Sequence, residues 1–205
     1  MDYTKLAPPQ TVAKTAEGLK PRGFEPIVVE NGAKALELIK TSIPKGASVM
    51  NGASTTLEQI GFIDYLKSGE HGWVNLHAQI LAEKDKEKQA QLRKYSVVSD
   101  YYLGSAHVIT EGGEMVFSSN SGSQMPHLVY TSQNLILVVS TKKIVPTLQD
   151  AFDRIDKHIV PLEDQRMMKL YGIGTRRNKT VILHSESEHA KRSVKVLLVN
   201  EDLGF

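Results

Sequence analysis

Polar clusters at a few points in this 205-residue chain bring together residue types that can do chemistry. The first, Asn51-Gly52-Ala53-Ser54-Thr55-Thr56 in SVMNGASTTLEQIGF, sets small and hydroxyl-bearing residues between an apolar run and a helix-like stretch. Free backbone N–H groups and the positive end of a helix dipole make such a turn an anion cradle, and Gly52 gives a ligand room to come close. The same pattern also describes a capped strand-to-helix turn that binds nothing. It is neither the lysine-bearing phosphate loop nor the glycine-rich dinucleotide fingerprint.

Glu111, followed by Gly112 and Gly113, has the surroundings of a general base or nucleophilic carboxylate at a strand end, or of an ordinary acid in a hairpin turn. The run Ser118 to Gln124, with Ser121 and Gly122 at its centre, could wrap a polar ligand or form a plain loop. Lys142 and Lys143 follow a strongly apolar run, where they could present a cation to phosphate or carboxylate, or lie in solvent. Asn200, Glu201 and Asp202 close the last apolar run. No HExxH pattern occurs among the histidines; His184 and His189, which bracket SESE, read as surface, so no metal site is expected. Met167, Met168, Tyr101 and Tyr102 read as packing residues.

The elements that position these clusters follow from periodicity. EPIVVE reads as a strand, and Ala35, Leu36, Ile39 and Ile43 form a helical stripe ended by Pro44 and Gly46. Ala47 to Met50 reads as a strand end, and Thr55-x-x-Glu58 has capping-box spacing for a helix with Leu57, Ile60, Ile63 and Leu66 on one face. LAEKDKEKQAQLRKY reads as a solvated helix. AHVIT and MVFSS flank EGGE as a hairpin, and the almost continuously apolar NLILVVS reads as a central strand covered on both faces. TLQDAFDRIDKHI and LEDQRMMKLYG then read as helices, TVILHS and VKVLLVNEDLGF as strands. Strands alternating with helices predict an α/β fold, a sheet layered between helices, with ligands gathering beyond the strands' carboxyl ends.

A composition of 40% apolar and 23% charged residues fits one soluble domain over 1–205, with residues 1–22 as a peripheral helical segment. The formal charge of +2 is too balanced for a dedicated nucleic-acid binder. Cysteine is absent, which removes disulfides, a thiol nucleophile and any iron–sulfur cluster held by this chain's own thiolates. With no apolar segment of signal-peptide or membrane-span length, a cytoplasmic protein that binds neither membrane nor nucleic acid is expected.

Four segments together, NGASTTLEQIGF, SDYYLGSAHVITEGGEMVFSS, LILVVSTKKIV with LQDAFDRI, and VLLVNEDLGF, resemble the LUD-domain family of lactate-utilisation proteins in the family's order. The resemblance implies a Rossmann-like three-layer fold similar to sugar-phosphate isomerases and CoA transferases, in which a loop like Asn51–Thr56 cradles phosphate and an acid near Glu111 can be catalytic. It also implies a place in L-lactate oxidation to pyruvate beside iron–sulfur partners. Many relatives carry a cysteine-bearing segment where this chain reads LYGIGTRRNKTVILHSESEHAKRS, and the family's usual asparagine-lysine reads Lys142-Lys143 here. Three functions follow as expectations: an accessory or regulatory subunit that binds a small anion, an acyl-CoA or sugar-phosphate enzyme using Glu111, and an interaction module for an iron–sulfur redox partner.

Overall fold

The computed structural model describes residues 1–205. In chain order it forms α1 (Pro9–Leu19), β1 (Glu25–Val29), α2 (Gly32–Ser42), β2 (Ser48–Asn51), α3 (Thr55–Gln59), α4 (Phe62–Ser68), β3 (Val74–Asn75), α5 (Leu76–Ala82) and α6 (Lys86–Tyr95). There follow β4 (Tyr101–Gly104), β5 (Val108–Thr110), β6 (Met115–Ser119), β7 (Asn134–Ser140), β8 (Ile144–Val145), α7 (Leu148–Arg154), α8 (Val160–Tyr171), β9 (Lys179–Leu183) and β10 (Ser193–Val199).

Six strands make one parallel sheet in the order β1, β10, β7, β4, β2, β3. NLILVVS is β7 and sits inside it between β10 and β4, and all its residues after Asn134 are buried. Alternate side chains of that strand feed two cores. Leu135, Leu137 and Val139 join Val12, Leu19, Phe24 and Phe117 on one face, while Ile136 and Val138 join Ala35, Ile39, Leu57 and Phe62 on the other. Helices on both faces make the mixed α/β, Rossmann-like three-layer arrangement that the strand-helix alternation predicts. Val12 and Leu19 of α1 are buried in the first of these cores.

A second sheet, in the order β8, β5, β6, β9, contains the expected hairpin of β5 and β6 in antiparallel register. Val108, Val116 and Val145 on its outer face pack on Ala151, Ile155 and Ile159, so α7 and the wide π-helical turn after it form a further layer. The expected helix after residue 55 is interrupted at Gly61, whose φ of 80° ends α3 and starts α4. Its cap also differs from the expected Thr55. Ser54 is the N-cap, its hydroxyl accepting from Leu57 N–H at 3.3 Å.

Candidate functional site

β2 ends at Asn51 and β4 at Gly104, neighbours in the parallel sheet, and beyond their carboxyl ends lies a cavity of about 560 Å³. The whole stretch Asn51 to Thr56 lines it. Ser118 of β6 and Ser121 and Gln124 of the loop after it close it on one side, His77 and Arg93 from α5 and α6, Arg166 and Met167 from α8, and Gly204 and Phe205 from the chain end.

Gly52 is small for a specific reason. A Cβ built there would stand 2.5 Å from the Tyr102 hydroxyl, so any other residue would displace the ring. Tyr102 in turn stacks on His127 with ring centroids 4.4 Å apart. Burial pushes the Tyr102 phenol well above its ordinary range, leaving it a protonated donor.

α3 has only five residues, so its dipole is short, and the basic group beside the small-residue turn is Lys143. Its Nζ donates to Thr56 Oγ1 and Ser105 Oγ, each at 3.1 Å, and no carboxylate pairs with it. The side chain is buried, and burial, with Arg154 and Lys142 adding repulsion, pushes its pKa down to about 7. Arg154 is itself fully buried. It donates to the His107 carbonyl at 3.2 Å, while its Nε has no partner.

His107 lines the cavity, and its Nδ1 accepts from Ser118 N–H at 3.2 Å. That bond fixes the ring hydrogen on Nε2 in the neutral form. Burial, then the charges of Lys143 and Arg154, push the pKa down to about 3, so the ring stays neutral at physiological pH. His127 lies against Ser132 Oγ at 2.8 Å, and burial lowers its pKa to about 4. His77 Nδ1 reaches Asn51 Oδ1 at 3.4 Å and is held below its usual range by burial and then by Arg93.

The lining carries the side chains of Lys143, Arg93, Arg166 and Arg176 against one acidic side chain, Glu163. Arg166 already engages both Glu163 oxygens at 2.8 Å. Arg93 and Arg176 are therefore cations, and Lys143 a basic amine, without a carboxylate partner around one cavity, an arrangement suited to a small anion.

Of the residues singled out in the sequence, Asn51, Gly52, Ala53, Ser54, Thr55, Thr56, Ser118, Ser121, Gln124 and Lys143 meet here. Glu111, Gly112 and Gly113 do not line the cavity. Their turn packs on α1, where a Cβ on Gly113 would lie 2.7 Å from the Gly18 carbonyl, and Glu111 accepts from Lys14 at 2.7 Å. Lys142 turns away to Asp202 and the Gly204 carbonyl. Gly122 packs against Lys179. Glu201 accepts from Gly32 N–H at 2.6 Å and so fills the amino end of α2 with its own carboxylate. The neighbouring Asn200 accepts from Thr141 Oγ1, and the Glu201 carbonyl accepts from Ser140 Oγ, so this cluster props the segment that aims Lys143.

The residues sequence reasoning passed over are Tyr102, read as packing, and His77, Arg93, His107, His127, Arg166 and Arg176. Only His107 carried a local signal, a polar ring at the mouth of the apolar run VIT.

A model of the LUD domain matches residues 12–199. The fold is similar to the crystal structure of a DUF162 family protein from Deinococcus radiodurans, with a TM-score of 0.60 at 12% identity over 96% of this chain and 100% of that one. No curated protein matches the chain.

Proposed function

The chain belongs to the LUD-domain family, and from that membership together with the cavity we propose that it is a lactate-utilisation-related protein that binds a small anionic ligand at the strand-end cleft. Its part in L-lactate oxidation to pyruvate is accessory or regulatory. The observation that carries this reading is Lys143, a buried amine that lines the cavity and whose partners are two hydroxyls and no carboxylate. Burial disfavours its ammonium form, and a bound anion stabilises that form. Gly52 to Thr56 supply backbone amides and hydroxyls, and Arg93 and Arg176 supply outer charge.

The reading that makes Glu111 a nucleophile has less support, because that carboxylate is paired with Lys14 outside the cavity. Having no cysteine, the chain leaves thiolate-bound iron–sulfur clusters of such a system to a partner protein.

Thermal unfolding against L-lactate, pyruvate, CoA thioesters, sugar phosphates and nucleotides tests the proposal. A ligand at 100 times its dissociation constant adds about 2.7 kcal/mol, a shift of several degrees. A shift that Ser54→Tyr abolishes is the expected result. No shift with any of these anions would overturn the reading.

A further inference from the structure

Anion binding alone does not require the particular way Lys143 is held. Its Nζ has two partners, Thr56 Oγ1 and Ser105 Oγ, both at 3.1 Å. A neutral amine has two hydrogens and one lone pair, so two donated bonds leave the lone pair as the remaining tetrahedral position. Gly204, at φ +66°, packs over this group, where a Cβ would collide with Thr56 Oγ1 and stand 2.8 Å from Nζ. The nearby charges, Lys142 and buried Arg154, are cations, and no acid holds the ammonium form. A pKa of about 7 agrees with that surrounding.

We propose that Lys143 is a nucleophile that forms an imine with the carbonyl carbon of an anionic aldehyde or ketone bound in this cavity. The inference rests on the anion-binding reading and names the chemical class of that ligand. The Nζ lone pair forms the C–N bond while the carbonyl π pair moves to oxygen. One proton passes from nitrogen to that oxygen, giving a carbinolamine. Loss of the hydroxyl with a second nitrogen proton releases one water and leaves C=N, with no oxidant or reductant consumed. His107 cannot act as the acid here, because its Nδ1 is occupied by the Ser118 N–H. Its Nε2–H instead donates a hydrogen bond that polarises the carbonyl oxygen, and the Thr56 and Ser105 hydroxyls on Nζ are placed to relay protons. Arg93 and Arg176 hold the anionic end, which is a carboxylate in a 2-oxo acid or a phosphate in a phosphorylated ketone.

The test treats the intact protein with sodium cyanoborohydride and either pyruvate or dihydroxyacetone phosphate at neutral pH, then maps adducts by mass spectrometry. The expected result is a single reduced adduct on Lys143 ahead of the exposed lysines, absent from Lys143→Met. Which compound labels faster identifies the anionic group. Label confined to surface lysines with both compounds, or none at all, overturns the imine. Thermal unfolding with the same two compounds and no reductant separates the claims: a shift without a Lys143 adduct removes the imine and keeps the anion site, whereas absence of both removes the imine and counts against the site.

Discussion

The Tyr102 hydroxyl occupies the space a side chain on Gly52 would need, 2.5 Å from where its Cβ would lie. Gly52→Ala is therefore expected to destabilise the protein by about 1 to 3 kcal/mol through overpacking. Removing the hydroxyl relieves the clash, because the next ring atom is 3.7 Å away, an ordinary contact. Tyr102→Phe in the Gly52→Ala background should recover most of the loss. Chemical denaturation of the two single variants and the double variant measures the coupling.

Acid should weaken the fold through the cavity histidines. His107 and His127 have folded-state values of about 3 and about 4, below the ordinary 6.5, so the unfolded chain takes up their protons first as pH falls. Stability is then lost from pH 6.5 down through about 4 and about 3, with a slope of up to about 1.4 kcal/mol per pH unit for each ring. In His107→Asn the amide oxygen can replace Nδ1 as acceptor for Ser118 N–H, and the non-titrating side chain should flatten the slope by one proton. Urea midpoints at several pH values give that slope directly.

The large parallel sheet is legible in the sequence because β7 and β10 must bury both faces and so spell continuous apolar runs. Half of the site is legible for a related reason. Asn51 to Thr56 and Lys143 follow directly on apolar strands, and strand ends point where ligands collect. Glu111 shares that local pattern, yet the close approach of Gly113 to Gly18 carries its turn onto α1, a contact between residues 95 positions apart that no local signal encodes. Tyr102 and His127 are hidden by their apolar neighbours. Arg93 is hidden within a charge run that reads as a solvated helix, which α6 is on its other faces. The small sheet escapes notice because β8, which completes it, is two residues long.

Glu111→Gln separates the carboxylate-catalysis reading from the binding reading. The ion pair with Lys14 is partly exposed, and such pairs contribute about 0 to 1 kcal/mol. A small change in melting temperature and unchanged affinity for the anion are expected. Any turnover lost on this substitution would restore Glu111 as a catalytic group.

Arg93→Ala and Arg176→Ala should each weaken anion binding roughly tenfold, the usual worth of one charged hydrogen bond. Neither arginine has a carboxylate partner, so stability without ligand should hardly change. Titration calorimetry at two salt concentrations checks both points. The salt dependence of affinity should shrink in each variant, because one fewer cation acts on the ligand.

Lys143 should give the protein a distinctive response to base. Its folded-state pKa of about 7 lies below the ordinary 10.5, so between these values the unfolded chain holds a proton that the folded chain has lost. Stability therefore rises with pH across that window and is flat with respect to this group below about pH 7. Lys143→Met removes the buried amine and with it this rise, so the difference in unfolding free energy between variant and parent should shift in the parent's favour from pH 7 to pH 10. A saturating anion selects the ammonium form in the folded state. It should raise the lysine's pKa, move the start of the rise to higher pH and bind more weakly as pH increases. Unfolding curves with and without sugar phosphate across that range test both statements. An identical pH profile in parent and Lys143→Met would show that the amine is not the group held in the cavity.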